Sequence, residues 1–351
     1  MTREVRHNVV VGPTRMRKKL IALCALLVGG NLLAGTWAFF ALHDYPVLLG
    51  TALLAYTFGL RHAVDADHIA AIDNVTRKLM QEGERPLAVG FFFSLGHSTV
   101  VIIASAAIAL ATGALEDRLA FFKSVGGVIG TLVSASFLFL VAAANLLILR
   151  SVYLSFREVR RSGRYDEGDL NRLLERRGLL SRFFRPLFRL VSRSWHMYPL
   201  GLLFGLGFDT ATEIGLLGIS AAQASKGLPI WSIMVFPALF TAGMSLVDTT
   251  DGVLMLGAYG WAFIKPIRKL YYNLTITLVS VFVAIAIGSI EVLGLMADQL
   301  SLGGPFWKIV DGLNNNFGSL GYLIIAILVA SWIASIAVYQ IGGYESTTSQ
   351  G

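Results

Sequence analysis

Charge is the first scarcity. Asp, Glu, Lys and Arg make up 15% of the 351 residues, against about 25% in an ordinary soluble domain. With 55% hydrophobic residues and a mean hydropathy of +0.66, a water-soluble globule is excluded. Cysteine is scarcer still: the single Cys24 cannot form an intrachain disulfide, and its apolar surroundings predict a buried, inert thiol. No GxxxxGK[ST] phosphate loop is present, which argues against ATP hydrolysis of the P-loop kind. Basic stretches interleaved with aromatic platforms are also missing. The net charge of +7 therefore does not point to nucleic acid.

What the chain has instead is long apolar runs, near 20–42, 47–71, 87–112, 124–149, 196–224, 229–258, 270–297 and 318–341. A membrane-spanning helix needs about 20 such residues. The expected fold is an all-α integral membrane protein of about eight transmembrane helices, with tilted or broken helices where a run is too long. Alternation of the β-barrel kind is absent, and the first run reads as an uncleaved span rather than a signal peptide. Residues 1–351 are expected to form a single transmembrane domain.

The basic residues predict its orientation. Twenty-four of the 29 Lys and Arg fall in the N-terminal segment, 72–86, 150–195 and 259–269. Only Arg118, Lys123, Lys226 and Lys308 fall in the alternate loops, and Arg61 lies inside a span. Both termini are then cytoplasmic, as is the one long loop, 150–195, with its twelve arginines. Phe183, Leu187, Leu190 and Val191 recur there at helical spacing among Arg182, Arg185, Arg189 and Arg193. That pattern suits an amphipathic helix on the lipid surface, kinked or started at Pro186, or a docking segment for a partner.

Ionisable residues within spans are costly and mark function. The second span carries Arg61, His62, Asp65, Asp67 and His68; the third carries His97; the fifth Asp209 and Glu213; the sixth Asp248 and Asp251. On a continuous helix of about 100° per residue, His62, Asp65 and His68 share one face while Asp67 points nearly opposite His68. Two imidazoles and a carboxylate suit a borderline transition metal rather than magnesium or calcium. Asp67 or Asp73 are candidates to fix the imidazole tautomers. Each acidic pair, Asp209 with Glu213 and Asp248 with Asp251, shares a helical face and is placed to bind a cation or carry a coupled proton. The plainer alternatives are an Arg61–Asp65 ion pair, acids bonded only to backbone or to Thr210, Thr212, Thr249 and Thr250, and a hydrogen-bonded core role for His97.

An internal repeat accompanies these residues. Phe58-Gly59-Leu60 recurs as Phe204-Gly205-Leu206, and Phe93 to Ser98 is echoed by Phe240 to Ser245. The second and fifth spans run in opposite directions by the orientation above, so spans 2–3 and 5–6 form a possible inverted repeat, an architecture that places substrate at the repeat interface. Gly126 with Gly130, and Gly201 with Gly205, have the small-residue spacing of close helix packing.

At these residues the chain resembles the nickel/cobalt transporter family, NiCoT, in particular the high-affinity nickel permeases associated with bacterial hydrogenases. The resemblance covers essentially the whole chain. It is carried by RHAVDADHI (Arg61 to Ile69), LGHSTVV (Leu95 to Val101), LGFDTATEI (Leu206 to Ile214) and GMSLVDTTDG (Gly243 to Gly252). It implies an eight-span permease of the bacterial inner membrane that imports Ni2+, and in some members Co2+. His62, Asp67 and His68 are then essential to recognition, and no permanently bound cofactor is required. It also implies a supply of nickel to metalloenzymes such as hydrogenase or urease. Val64 lies beside the ligand face, where its bulk is expected to influence the choice between nickel and cobalt. A related metal exporter is the main alternative, although the 150–195 loop lacks the histidines that would collect cytosolic metal. An intramembrane iron oxygenase or desaturase would need a further histidine box.

Overall fold

In the computed structural model, residues 13–110, 116–162, 191–207, 211–262 and 266–341 are described. Eleven helices are labelled here: α1 Pro13–Leu42, α2 Pro46–His62, α3 Ala66–Gln81, α4 Val89–Leu110, α5 Glu116–Ser162, α6 Met197–Phe204, α7 Ala211–Ser225, α8 Val235–Ala262, α9 Pro266–Gln299, α10 Pro305–Asn314 and α11 Phe317–Ile341. Single turns at Ser194–His196 and Ile230–Ile233 lead into α6 and α8. No β-strand occurs among the described residues. Apolar side chains lie outward along these helices, as on α1, where Leu32, Leu33, Phe39 and Phe40 are exposed. That is the arrangement a bilayer stabilises and water does not.

Five helical stretches are long and apolar enough to cross a membrane: Met16–Leu42, Val89–Leu110, Val125–Leu146, Ile230–Gly260 and Thr275–Gln299. Two bent pairs bring the number to seven: α2 with α3, at 51°, and α10 with the start of α11, at 74°. The remaining expected run, 196–224, consists of the shorter α6 and α7. The protein is a multi-pass helical membrane protein in which the second expected span is broken within its polar motif.

Three sequence expectations change in the structure, and a fourth falls on residues that are not described. The second run is not one continuous helix, because the chain leaves helical geometry at Ala63–Asp65 and restarts with Asp65 as the N-cap of α3. The segment 72–86 is not all loop: α3 continues to Gln81, and Arg77 is buried. Its Nη2 donates to Asn74 Oδ1 at 2.8 Å, so this basic residue does not mark an exposed cytoplasmic face. Cys24 is exposed on α1 rather than buried. In the 150–195 loop, the helix expected around Phe183, Leu187 and Leu190 lies outside the described residues; Val191 is buried, and its carbonyl accepts from Lys78 Nζ at 2.5 Å.

Glycines allow the helices that carry the motifs to touch backbone to backbone. A Cβ on Gly59 of α2 would run into the Phe240 backbone of α8, and one on Gly243 of α8 into Tyr56 O and Leu60 N of α2. The second pair repeats the arrangement. A Cβ on Gly201 of α6 would meet the Phe93 backbone of α4, and one on Gly96 of α4 would meet Tyr198 O and Leu202 N of α6. Tyr56, Gly59 and Leu60 thus correspond to Tyr198, Gly201 and Leu202. The internal repeat exists, but its first half sits one helical turn earlier than the Phe204-Gly205-Leu206 match. Gly205 packs on His97, and Gly130 of α5 packs on Leu206 and Gly207, so the Gly201–Gly205 spacing and Gly130 of the other pair serve as contacts.

Candidate metal centre

The break after α2 positions the first residues. Val64 N bonds to Arg61 O and Asp65 N to His62 O, a tight turn that ends one helix and starts the next. His62 is therefore the last residue of α2, and His68 sits in the first turn of α3. His97 enters from α4, held against α6 by Gly201 and Gly205. The three imidazoles converge: ring centroids lie 4.6 Å apart for His62 and His68, 4.7 Å for His62 and His97, and 4.9 Å for His68 and His97. One nitrogen from each falls within 4.8 Å of the others. Exposure is 1% for His62, 0% for His68 and 3% for His97, so bulk water is kept from all three. Phe93 packs edge-on against His68, and Phe240, its repeat equivalent, packs against His62.

Carboxylates fix which nitrogens face inward. His62 Nδ1 donates to Asp65 Oδ2 at 2.8 Å, and His68 Nδ1 to Asp248 Oδ1 and Oδ2 at 3.3 and 3.4 Å. An ionised carboxylate only accepts, so each Nδ1 carries the proton and each Nε2 keeps a lone pair. This carboxylate-to-histidine arrangement is the one that orients metal-binding imidazoles. His68 Nε2 is buried and has no hydrogen-bond partner. His97 Nε2 lies 2.9 Å from both His62 Nε2 and Glu213 Oε1. Glu213 Oε1 is also 3.9 Å from His62 Nε2. His62 Nε2, His97 Nε2 and Glu213 Oε1 thus surround one buried point, with a ring nitrogen of His68 within 4.8 Å of the other two imidazoles. Cis ligands about 2.1 Å from one transition-metal ion stand about 3 Å apart, close to the 2.9 Å separations found here.

Among the expected site residues, His62, His68, His97 and Glu213 come together directly. Asp65 and Asp248 are turned to the outer nitrogens. Asp67 is half-buried and stays outside the three-imidazole group. Asp251 lies one turn from Asp248 on α8, with Oδ2 buried and unpartnered. Arg61 is exposed at the break and forms no ion pair with Asp65 within 4 Å, because that carboxylate is engaged by His62. Val64 is buried inside the break. Asp209 lies outside the described residues. Asp73 is bonded to Tyr259 and to Ser280 Oγ, the latter at 2.7 Å, rather than to an imidazole. It ties α3 to α8 and α9. Sequence reasoning gave Glu291 no role, yet it is buried and accepts from Ser134 Oγ at 2.8 Å across α5 and α9; its position within an apolar run was the available signal.

The match to known proteins agrees with this chemistry. A family model, NicO, described as high-affinity nickel-transport protein, matches residues 48–338. The chain belongs to the NicO family. It is 61% identical to the high-affinity nickel transport protein of Cupriavidus necator, over 95% of each chain. It is 55% identical to the hydrogenase nickel incorporation protein HupN of Bradyrhizobium diazoefficiens, over 82% of this chain and 76% of that one. The cobalt transport protein NhlF of Rhodococcus rhodochrous is 44% identical over 71% and 72%. No solved structure matches the chain. NicO proteins are transporters and not enzymes, and the matched region contains every helix of the candidate centre.

Proposed function

We propose that the chain is a permease of the bacterial cytoplasmic membrane that imports Ni2+, with Co2+ as a second substrate, and binds the ion through His62, His68, His97 and Glu213. The observation that carries the reading is the buried trio His62, His68 and His97, whose ring nitrogens lie within 4.8 Å of one another beside Glu213, with His68 Nε2 left without a hydrogen-bond partner. An unpartnered buried polar atom costs about 1–3 kcal/mol, which an incoming cation relieves. His97 Nε2 presents a hydrogen toward Glu213 and His62 in the metal-free arrangement. For the ion to bind there the Nε2 proton moves to His97 Nδ1, which has no hydrogen-bond partner, and frees the Nε2 lone pair.

Asp65 and Asp248 orient the rings, and Asp67 adds negative charge beside them. Asp209, Asp251 and Arg61 belong to the path or to coupling, and Val64 to selectivity. Both termini and the 150–195 loop lie on the cytoplasmic side by the distribution of basic residues. The membrane potential supplies about 2.3 kcal/mol per charge per 100 mV, hence about 4.6 for a divalent ion, and a proton gradient can add to it. The imported nickel would serve metalloenzymes such as hydrogenase or urease; the name of the Bradyrhizobium relative supports the first of these.

The test is uptake of trace radiolabelled nickel in excess magnesium by cells expressing the chain, wild type against His62→Ala at matched membrane abundance. Uptake by wild type alone is expected. Equal uptake by both removes His62 as a ligand, and faster emptying of preloaded cells by wild type makes export the direction.

A further inference from the structure

The break that carries His62 and Asp65 is held from outside by a helix distant in sequence. α11 starts beyond a tight elbow in which Asn316 N bonds to Leu313 O, and Asn316 Nδ2 donates to Gly312 O at 2.7 Å. The elbow rests on α9, where a Cβ on Gly294 would meet the Asn314 side chain at 2.8–3.2 Å. Two glycines one turn apart at the start of α11, Gly318 and Gly321, then face the break. A Cβ on Gly321 would collide with the carbonyl oxygen of Val64, which lies outside the hydrogen-bond ladders of α2 and α3. A Cβ on Gly318 would lie 3.3 Å from Asp65 Oδ1 and 3.4 Å from Arg61 Nε. Asp65 Oδ1 belongs to the same carboxylate whose Oδ2 accepts from His62 Nδ1.

We infer that Gly318 and Gly321 are positioning residues for the metal centre, seating the Val64–Asp65 turn so that Asp65 holds His62 Nε2 toward the ion. The inference rests on the metal-site reading above. A methyl at 321 meets rigid backbone and displaces the turn, whereas a methyl at 318 presses on the carboxylate itself. In both cases the link from Asp65 to His62 is what weakens, because the break has no ladder bond to restore it. Losing such an orienting contact lowers metal affinity by about 10–100-fold. The same contact fixes where Val64 lies beside the site, so the preference between nickel and cobalt moves with it.

The experiment is a chelator-competition titration of Ni2+, and in parallel of Co2+, with the purified full chain. Gly318→Ala is expected to weaken nickel binding about tenfold and to change the nickel-to-cobalt ratio. Gly321→Ala does so more strongly; if it does not accumulate, Gly318→Ala carries the test. Gly312→Ala, placed where nothing lies within 4 Å, keeps wild-type affinity. In an Asp65→Asn background, Gly318→Ala adds less than about a twofold change, because the two act through one contact. Wild-type binding by Gly318→Ala, or an undiminished effect on top of Asp65→Asn, overturns the inference. His62→Ala separates the two levels. If it binds nickel normally, the metal-site reading fails, whereas loss there with no effect at Gly318 overturns only the positioning role.

Discussion

The α2–α3 and α6–α7 segments share a frame and divide the chemistry. After Gly59 the chain reaches His62, Asp65 and His68, three polar side chains around one turn. After Gly201, in the same packing environment, it reaches Phe204, which stacks on Phe93 at 5.2 Å between centroids. Carried forward in sequence, the register sets His62 against Phe204 and Asp67 against Asp209. All three imidazoles come from α2, α3 and α4. The second half supplies Glu213 from α7 and Asp248 from α8, the acids on His97 and His68. A duplicated scaffold thus brings nitrogen donors from one half to carboxylates of the other. The proposed ion site lies where the halves meet, the place at which an alternating-access transporter would open and close.

That division gives a ranked set of expectations. Removing a nitrogen donor has the largest effect: His68→Ala weakens Ni2+ binding by about 100-fold or more, measured by chelator competition on the purified chain. A value near wild type would mean that the imidazole half is not the binding half. Glu213→Gln keeps the shape and removes the second half's charge, and lowers affinity about 10–100-fold. Asp248→Asn comes next, at about tenfold, because it still fills the space beside His68 but no longer offers two acceptor oxygens. A loss larger than that for Glu213→Gln would reverse the order of the two acids.

The shared frame is probed separately. Gly59→Ala and Gly201→Ala each overpack an equivalent crossing, at a cost of about 1–3 kcal/mol. Thermal unfolding in detergent should show similar losses for both; a large asymmetry would break the equivalence. The smallest expected change is in selectivity. Val64→Phe shifts the nickel-to-cobalt uptake ratio a few-fold at normal expression, and an unchanged ratio removes Val64 from that role.

Much of this architecture can be read from residue type and spacing. The apolar runs mark the membrane helices because the bilayer imposes their length and composition. Both polar motif pairs were found for the same reason, since charges at that depth need an explanation. What sequence did not place is the break at Ala63–Asp65. The helical-wheel argument assumes an unbroken helix, and the tight turn contains neither Gly nor Pro to announce its end. On an unbroken helix Asp65 shares the ligand face and Asp73 comes near the imidazoles; in the folded chain Asp65 turns to His62 Nδ1 and Asp73 joins α3 to Tyr259 and Ser280. The repeat was visible, but its first register was set by a Phe-Gly-Leu coincidence. Only the reciprocal contacts of Gly59 and Gly201 show the true one. Glu213 could be singled out as an intramembrane acid, but its pairing with His97, 116 residues away, is a property of the folded chain.

The central claim is that three imidazoles bind the transported ion, and X-ray absorption at the nickel edge of the nickel-loaded, purified chain tests it most directly. Wild type should show the scattering of three imidazoles, and His97→Ala that of two. A shell of oxygen alone, or an imidazole count that does not change in His97→Ala, would contradict the account.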